Sequence, residues 1–190
     1  AYPLPRNYEK LVFKPISLPK INSKLSISEE DLETIALKLI SSHKPVLYVG
    51  NGIRLSDSYE DFLNFLEKWG IPTVTGWNSN DLLWDDHFCY CGRPGSVGNR
   101  AGNFAVQLSD CLITIGCRLN IRQVSFNWKS FAKNAWTCHI DIDNDELEKP
   151  TLNTNLKVRA DIKGFFEKFD KKLSSILKNK NCRDYADNWN

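Results

Sequence analysis

Pro45-Val46-Leu47-Tyr48-Val49-Gly50-Asn51-Gly52 is a short apolar run that stops at a glycine-bracketed turn. Runs closed this way read as strands buried on both faces and entering a tight loop. Downstream, Tyr59, Phe62, Leu63, Leu66 and Trp69 recur at helical spacing, and Gly70 stands where a left-handed residue closes a helix. Ile71-Pro72-Thr73-Val74-Thr75 reads as a second strand. Strand, helix and strand in this order predict a βαβ unit with parallel strands and a right-handed crossover.

The pattern extends in both directions. Before it, Ser28 is placed to cap a helix over 29–42, with Glu29, Glu30 and Asp31 in the first turn and Leu32, Ile35, Ala36, Leu39 and Ile40 on one face. After it, Phe88-Cys89-Tyr90 suggests a short strand, and Arg100 to Leu108 a helix with Phe104, Ala105 and Leu108 inward. Cys111 to Ile115 reads as a fully buried strand, Phe126 to Ala132 as a helical connection, and Trp136 to Ile142 and Leu156 to Arg159 as further strands. Ile162, Phe165, Phe166, Phe169, Leu173, Ile176 and Leu177 mark a closing helix. The expected fold is α/β: a three-layer, Rossmann-like open sheet of about six parallel strands with helices on both faces. Residues 28–178 form one such domain. Residues 1–27, with Pro3, Pro5, Pro15 and Pro19, read as an extended strap, and 179–190 as a polar tail.

At 190 residues the chain suffices for one well-buried core. Its 25 Lys and Arg against 23 Asp and Glu provide no basic excess for nucleic acid or a membrane surface, so neither is an expected partner. No apolar run approaches the roughly 18 to 20 residues that span a bilayer, and Ala1-Tyr2-Pro3-Leu4-Pro5 lacks the basic and apolar regions of a signal peptide. A soluble, cytoplasmic protein is expected. Cys111, Cys117 and Cys138 sit in or beside apolar runs as small hydrophobes, in keeping with a reducing compartment, and Cys89-x-Cys91 is the wrong spacing for a zinc knuckle.

In open parallel sheets, ligands lie beyond the carboxyl ends of the strands. The residues there are Gly50-Asn51-Gly52, Thr75-Gly76-Trp77, Gly92-Arg93-Pro94-Gly95, Gly116-Cys117-Arg118 and Asp141-Ile142-Asp143. Glycines admit a close phosphate or ribose, an arginine pairs with a diphosphate, and a strand-end acid accepts from ribose hydroxyls. Gly50-x-Gly52 lacks the third glycine of the dinucleotide fingerprint, with Leu55 in its place, and two glycines required by a turn explain it equally well. Arg118 has a plainer role as a surface partner of Asp141 or Asp143, and those acids as caps for Asn144 to Leu147. His43, His87 and His139 are scattered, with no supporting nucleophile and acid.

Three segments resemble the middle domain of the acetolactate synthase family. They are Gly92-Arg-Pro-Gly-Ser-Val-Gly-Asn-Arg-Ala-Gly-Asn-Phe-Ala-Val-Gln-Leu-Ser-Asp110, Leu112-Ile-Thr-Ile-Gly-Cys-Arg-Leu-Asn120 and His139-Ile-Asp-Ile-Asp143. Their order and spacing match over roughly residues 30 to 175.

The resemblance implies a six-stranded parallel sheet between two thiamine-diphosphate-binding domains of the same chain. The parent enzyme it implies is a homo-oligomer that decarboxylates a 2-oxo acid such as pyruvate and transfers the resulting carbanion equivalent. Thiamine diphosphate and magnesium belong to that parent and are not expected on these residues, which lack the family's Gly-Asp-Gly motif; alone they are expected to be inactive. In flavin-dependent relatives the matching positions hold FAD: Gly50, Gly52, Thr75, Gly76, Trp77, the loop from Gly95 to Gly98, Gly116, Arg118 and Asp141. The sequence departs from the synthases at Ser96-Val97 and at Asn120-Ile121, where they often carry Met-His and two aspartates. FAD, ADP or an empty crevice in a purely structural module all remain open. A sirtuin-like deacylase would need a zinc-binding insert and a catalytic histidine loop, and neither is visible.

Overall fold

In the computed structural model, residues 25–177 are described, so most of the expected strap and all of the expected tail lie outside the described residues. The Ser28 hydroxyl accepts from the Asp31 amide at 3.0 Å, and the first helix, α1, runs Glu29–Ser41. β1 follows at Pro45–Val49, then α2 (Gly52–Leu55), α3 (Tyr59–Trp69), β2 (Thr73–Thr75) and β3 (Tyr90–Gly92). α3 closes on Gly70 in the left-handed conformation at φ 62°. The second half comprises α4 (Arg100–Leu108), β4 (Cys111–Ile115), α5 (Ile121–Val124), β5 (Trp136–Asp141), α6 (Asn144–Glu148), β6 (Leu156–Arg159) and α7 (Phe165–Leu177).

The six strands form one sheet in the order β3-β2-β1-β4-β5-β6, and every pairing is parallel. Alternate residues of each strand face opposite layers. Leu47, Val49, Ile113, Ile115, Cys138, Ile140 and Val158 pack with the buried faces of α1, α3 and α7. Val46, Tyr48, Val74 and Leu112 pack with α4, α5 and the chain leading to β5. This is the expected three-layer, Rossmann-like fold.

The Asp110 carboxylate joins the two halves at the amino ends of the strands. It accepts from the amides of His43 at 2.7 Å and Lys44 at 2.9 Å, fixing the α1–β1 turn beside β4. Asp110→Ala is expected to lower unfolding free energy by about 1 to 2 kcal/mol, read from urea denaturation, because both amides lose a charged acceptor.

Several expectations need correction. Phe104 and Leu108 do not point inward: they are 49% and 56% exposed, while Gly102, Ala105 and Val106 are the buried residues of α4. α4 lies so close to the preceding loop that a Cβ on Gly102 would meet the Arg93 carbonyl carbon at 2.7 Å, so its small face turns inward. Phe104 instead lies beneath the Arg100 guanidinium, 5.3 Å from it. β3 begins at Tyr90 rather than Phe88, which is exposed and stacks on His87 with 4.9 Å between centroids. Between Phe126 and Ala132 only one tight 3-10 turn forms, at Trp128–Ser130, and Ala132 stands in the left-handed region at φ 45°. The one-turn helices α2 and α5 lie at positions where no helix is expected.

Candidate functional site

The sheet order reverses between β1 and β4, and the loops after these strands meet over its carboxyl end. Backbone pairing continues past the strand ends: the amides of Gly50, Gly76 and Gly116 donate to Ile115, Val49 and Ile140 at 3.0, 2.8 and 2.9 Å. Above them opens a crevice of about 460 Å³. Its lining includes Gly50, Gly52, Gly76, Trp77, Gly116, Arg118 and Asp141, together with Asn51, Asn78, Gln123, Asp143, Glu146 and Asp161.

The remaining candidates lie outside that lining. Thr75 is fully buried at the end of β2, and its hydroxyl has no hydrogen-bond partner among the described residues. Gly95 lines a separate hollow of about 200 Å³, where its amide donates to the Asn103 side-chain oxygen at 2.9 Å. A Cβ on Gly98 would fall 2.1 Å from the Arg93 carbonyl oxygen, so it closes its own loop.

The crevice glycines serve the approach of one loop to another. A Cβ on Gly50 would meet the Gly116 oxygen at 2.1 Å, and one on Gly52 the Gly116 Cα at 2.6 Å. Gly116 itself is left-handed at φ 55°. The loops after β1 and β4 thus interlock, and their backbone forms the floor of the crevice.

Arg118 pairs with neither Asp141 nor Asp143. Its Nε forms an ion pair with Glu146 Oε1, 2.5 Å away, while its side chain stays 76% exposed. Asp141 instead accepts from the Asp143 amide at 3.0 Å, and Asp143 caps α6 by accepting from the Asp145 amide at 3.0 Å. The cap expected of Asp143 is therefore present.

Sequence reasoning passed over Gln123, Glu146 and Lys149. Gln123 Oε1 accepts from the Asn120 amide at 3.0 Å, completing a capping box, and Nε2 reaches Cys117 Sγ at 3.3 Å. The spacing Asn120-x-x-Gln123 is a legible signal for that box. Burial pushes the Cys117 thiol up to about 11, which keeps it protonated. Among the described residues no group of three or more His, Cys, Asp or Glu side chains is placed to hold a metal ion. No helix among them is long and apolar enough to cross a membrane.

His139 is buried beneath the same loop, with Nε2 3.0 Å from the Cys117 oxygen. Burial lowers its pKa, against the opposing charge of Asp141. The neutral ring is therefore favoured in the fold, and the stability it contributes is full above the unfolded value of about 6.5. That stability is lost as pH falls from there toward the folded value. His87, also lowered by burial, acts in the same sense. Urea midpoints are expected to drop between about pH 7.5 and about pH 5.5, less steeply in His139→Gln.

Fold and site together define an open, doubly wound α/β domain with a ligand-sized crevice at its topological switch point. Compared with known families, residues 32–169 match the thiamine pyrophosphate enzyme, central domain, and the chain belongs to that family. It is similar to a probable acetolactate synthase large subunit of Methanococcus aeolicus, with 35% identity over 82% of this chain and 26% of that protein. The acetolactate synthase large subunit of Lactococcus lactis subsp. lactis is 33% identical over 92% of this chain and 29% of its own length. That of Corynebacterium glutamicum is 40% identical over 60% of this chain and 18% of its own length. The chain thus spans less than a third of each of these relatives.

Proposed function

We propose that the chain is the central domain of an acetolactate-synthase-like enzyme, a cytoplasmic homo-oligomer that decarboxylates a 2-oxo acid and joins the product to an acceptor. Family membership with large subunits of that name supports this reading. Thiamine diphosphate, which supplies the electron sink when bound, and magnesium are then held by flanking domains of the same chain. These residues contribute scaffold and a nucleotide crevice, and alone they turn over nothing.

For that crevice we favour the adenosine diphosphate moiety shared by FAD and ADP. The observation that carries this is the meeting at the switch point of Arg118 with the strand-end acid Asp141. Arg118 offers the diphosphate a guanidinium whose terminal nitrogens have no hydrogen-bond partner among the described residues. Asp141 has one main-chain amide on its carboxylate and capacity left for a ribose hydroxyl. A volume of about 460 Å³ suits a nucleotide-sized ligand. The candidates outside the lining, Thr75, Gly95 and Gly98, support the surrounding loops. A structural module with an empty crevice is the second reading. It is favoured by the glycine positions, which neighbouring backbone already fills, and by four lining carboxylates, Asp141, Asp143, Glu146 and Asp161, against one guanidinium.

The deciding experiment is pyruvate consumption by the full-length protein with thiamine diphosphate and magnesium, with and without FAD, alongside ADP titration. Turnover that requires the diphosphate supports the enzyme reading, and none with any 2-oxo acid removes it. Arg118→Ala is expected to weaken ADP binding by roughly tenfold to a hundredfold, the range of a lost charged hydrogen bond. Unchanged affinity would leave Arg118 a surface ion pair.

A further inference from the structure

The Lys149 ammonium, just past the end of α6, turns toward the chain rather than toward solvent. It donates to the main-chain oxygens of Arg118 and of Leu119, the latter at 3.3 Å, and to Glu146 Oε2 at 2.7 Å. The other Glu146 oxygen holds Arg118 Nε. Glu146 and Lys149 are 14% and 19% exposed, so this pair is shielded far better than an ordinary surface pair, whereas Arg118 stays open to solvent.

The loop it grips is strained. Leu119 sits at φ 49°, a left-handed conformation that a leucine keeps only where its surroundings impose it. One ammonium bound to two successive carbonyls supplies such an imposition. α6 is in turn fixed by its Asp143 cap and by buried Leu147. The terminal guanidinium nitrogens of Arg118 make no hydrogen bond to the described residues, so gripping it through Nε leaves its fork available to a second anion.

We propose that Glu146 and Lys149 are positioning residues that preset the Gly116–Leu119 loop, and the Arg118 guanidinium with it, for a diphosphate-bearing ligand. The inference rests on the nucleotide reading of the crevice. Lys149 does not meet the ligand; its charge acts on the loop backbone. Its loss therefore weakens a ligand with a diphosphate and spares one without.

The test uses full-length protein carrying Lys149→Met, Lys149→Arg or Glu146→Gln, with amide hydrogen exchange over residues 117–121 and titration by ADP and by adenosine. Lys149→Met is expected to speed exchange in that loop but not in β4. It should also weaken ADP about tenfold, or about 1.4 kcal/mol, and leave adenosine within about twofold. Lys149→Arg should restore most of the ADP affinity, and Glu146→Gln should show the same selective loss to a smaller degree. If Lys149→Met fails to fold, Glu146→Gln carries the comparison. Equal loss of ADP and adenosine, or unchanged ADP affinity, overturns the proposal. Wild-type protein that binds neither ligand removes the nucleotide reading instead; exchange then decides the loop-holding role, and an unchanged rate overturns that as well.

Discussion

The Gly50→Val variant is expected to lose about 3 kcal/mol of unfolding free energy, at the upper end of what overpacking costs. The Cβ position lies 2.1 Å from the Gly116 carbonyl oxygen, and Gly50 is itself tied to β4 through its amide on Ile115. Neither loop can retreat without breaking pairing at the centre of the sheet. Gly164 is the control: its φ is 76° but nothing lies within 4 Å of a Cβ there, so Gly164→Ala carries only left-handed strain of about 1 to 2 kcal/mol. Urea denaturation of both variants reads the difference. A Gly50 variant no less stable than the Gly164 one would mean that the two switch-point loops are looser than their contact implies.

A comparable loss, about 3 to 5 kcal/mol, is expected for Phe166→Ala. Phe166 is 1% exposed, and its ring lies 5.5 Å from both Phe62 and Phe65 of α3 and 5.3 Å from Phe165. This cluster fastens the closing helix to α3 and the sheet, so truncation leaves a cavity whose walls belong to different elements. Phe104→Ala, at a half-exposed ring on α4, should cost within about 0.5 kcal/mol. If the two substitutions cost the same, the assignment of α4's small face to the interior is wrong.

Those two phenylalanines show where reading the sequence works. In α7, Phe165, Phe166, Phe169 and Leu173 recur at helical spacing against a polar remainder, and their common burial follows from that period. In α4 the same reasoning picks the large apolar residues, yet the helix packs by Gly102, Ala105 and Val106. Periodicity reports a face; it does not report how near another segment comes. Here the Arg93–Pro94 backbone comes close enough that only glycine fits at 102.

The site divides in the same way. The strand-end glycines, Arg118 and Asp141 were legible because ligand crevices of open parallel sheets follow from topology. The engagement of Arg118 with Glu146 was not, because it depends on the direction in which α6 leaves β5. Gln123 left a local signal in its capping box, whereas the hold of Lys149 on carbonyls some thirty residues earlier left none.

By itself, then, the sequence determined the alternation of strands and helices, the parallel sheet, the family and the end of the sheet where the crevice opens. Each follows from local periodicity, turn residues or motif order. The tertiary structure alone decided which face of α4 is inward, what the crevice glycines accommodate, which acid holds Arg118 and what supports the strained Leu119. Those outcomes rest on distances between segments far apart in the chain, set by the packing of two layers on a twisted sheet rather than by neighbours in sequence.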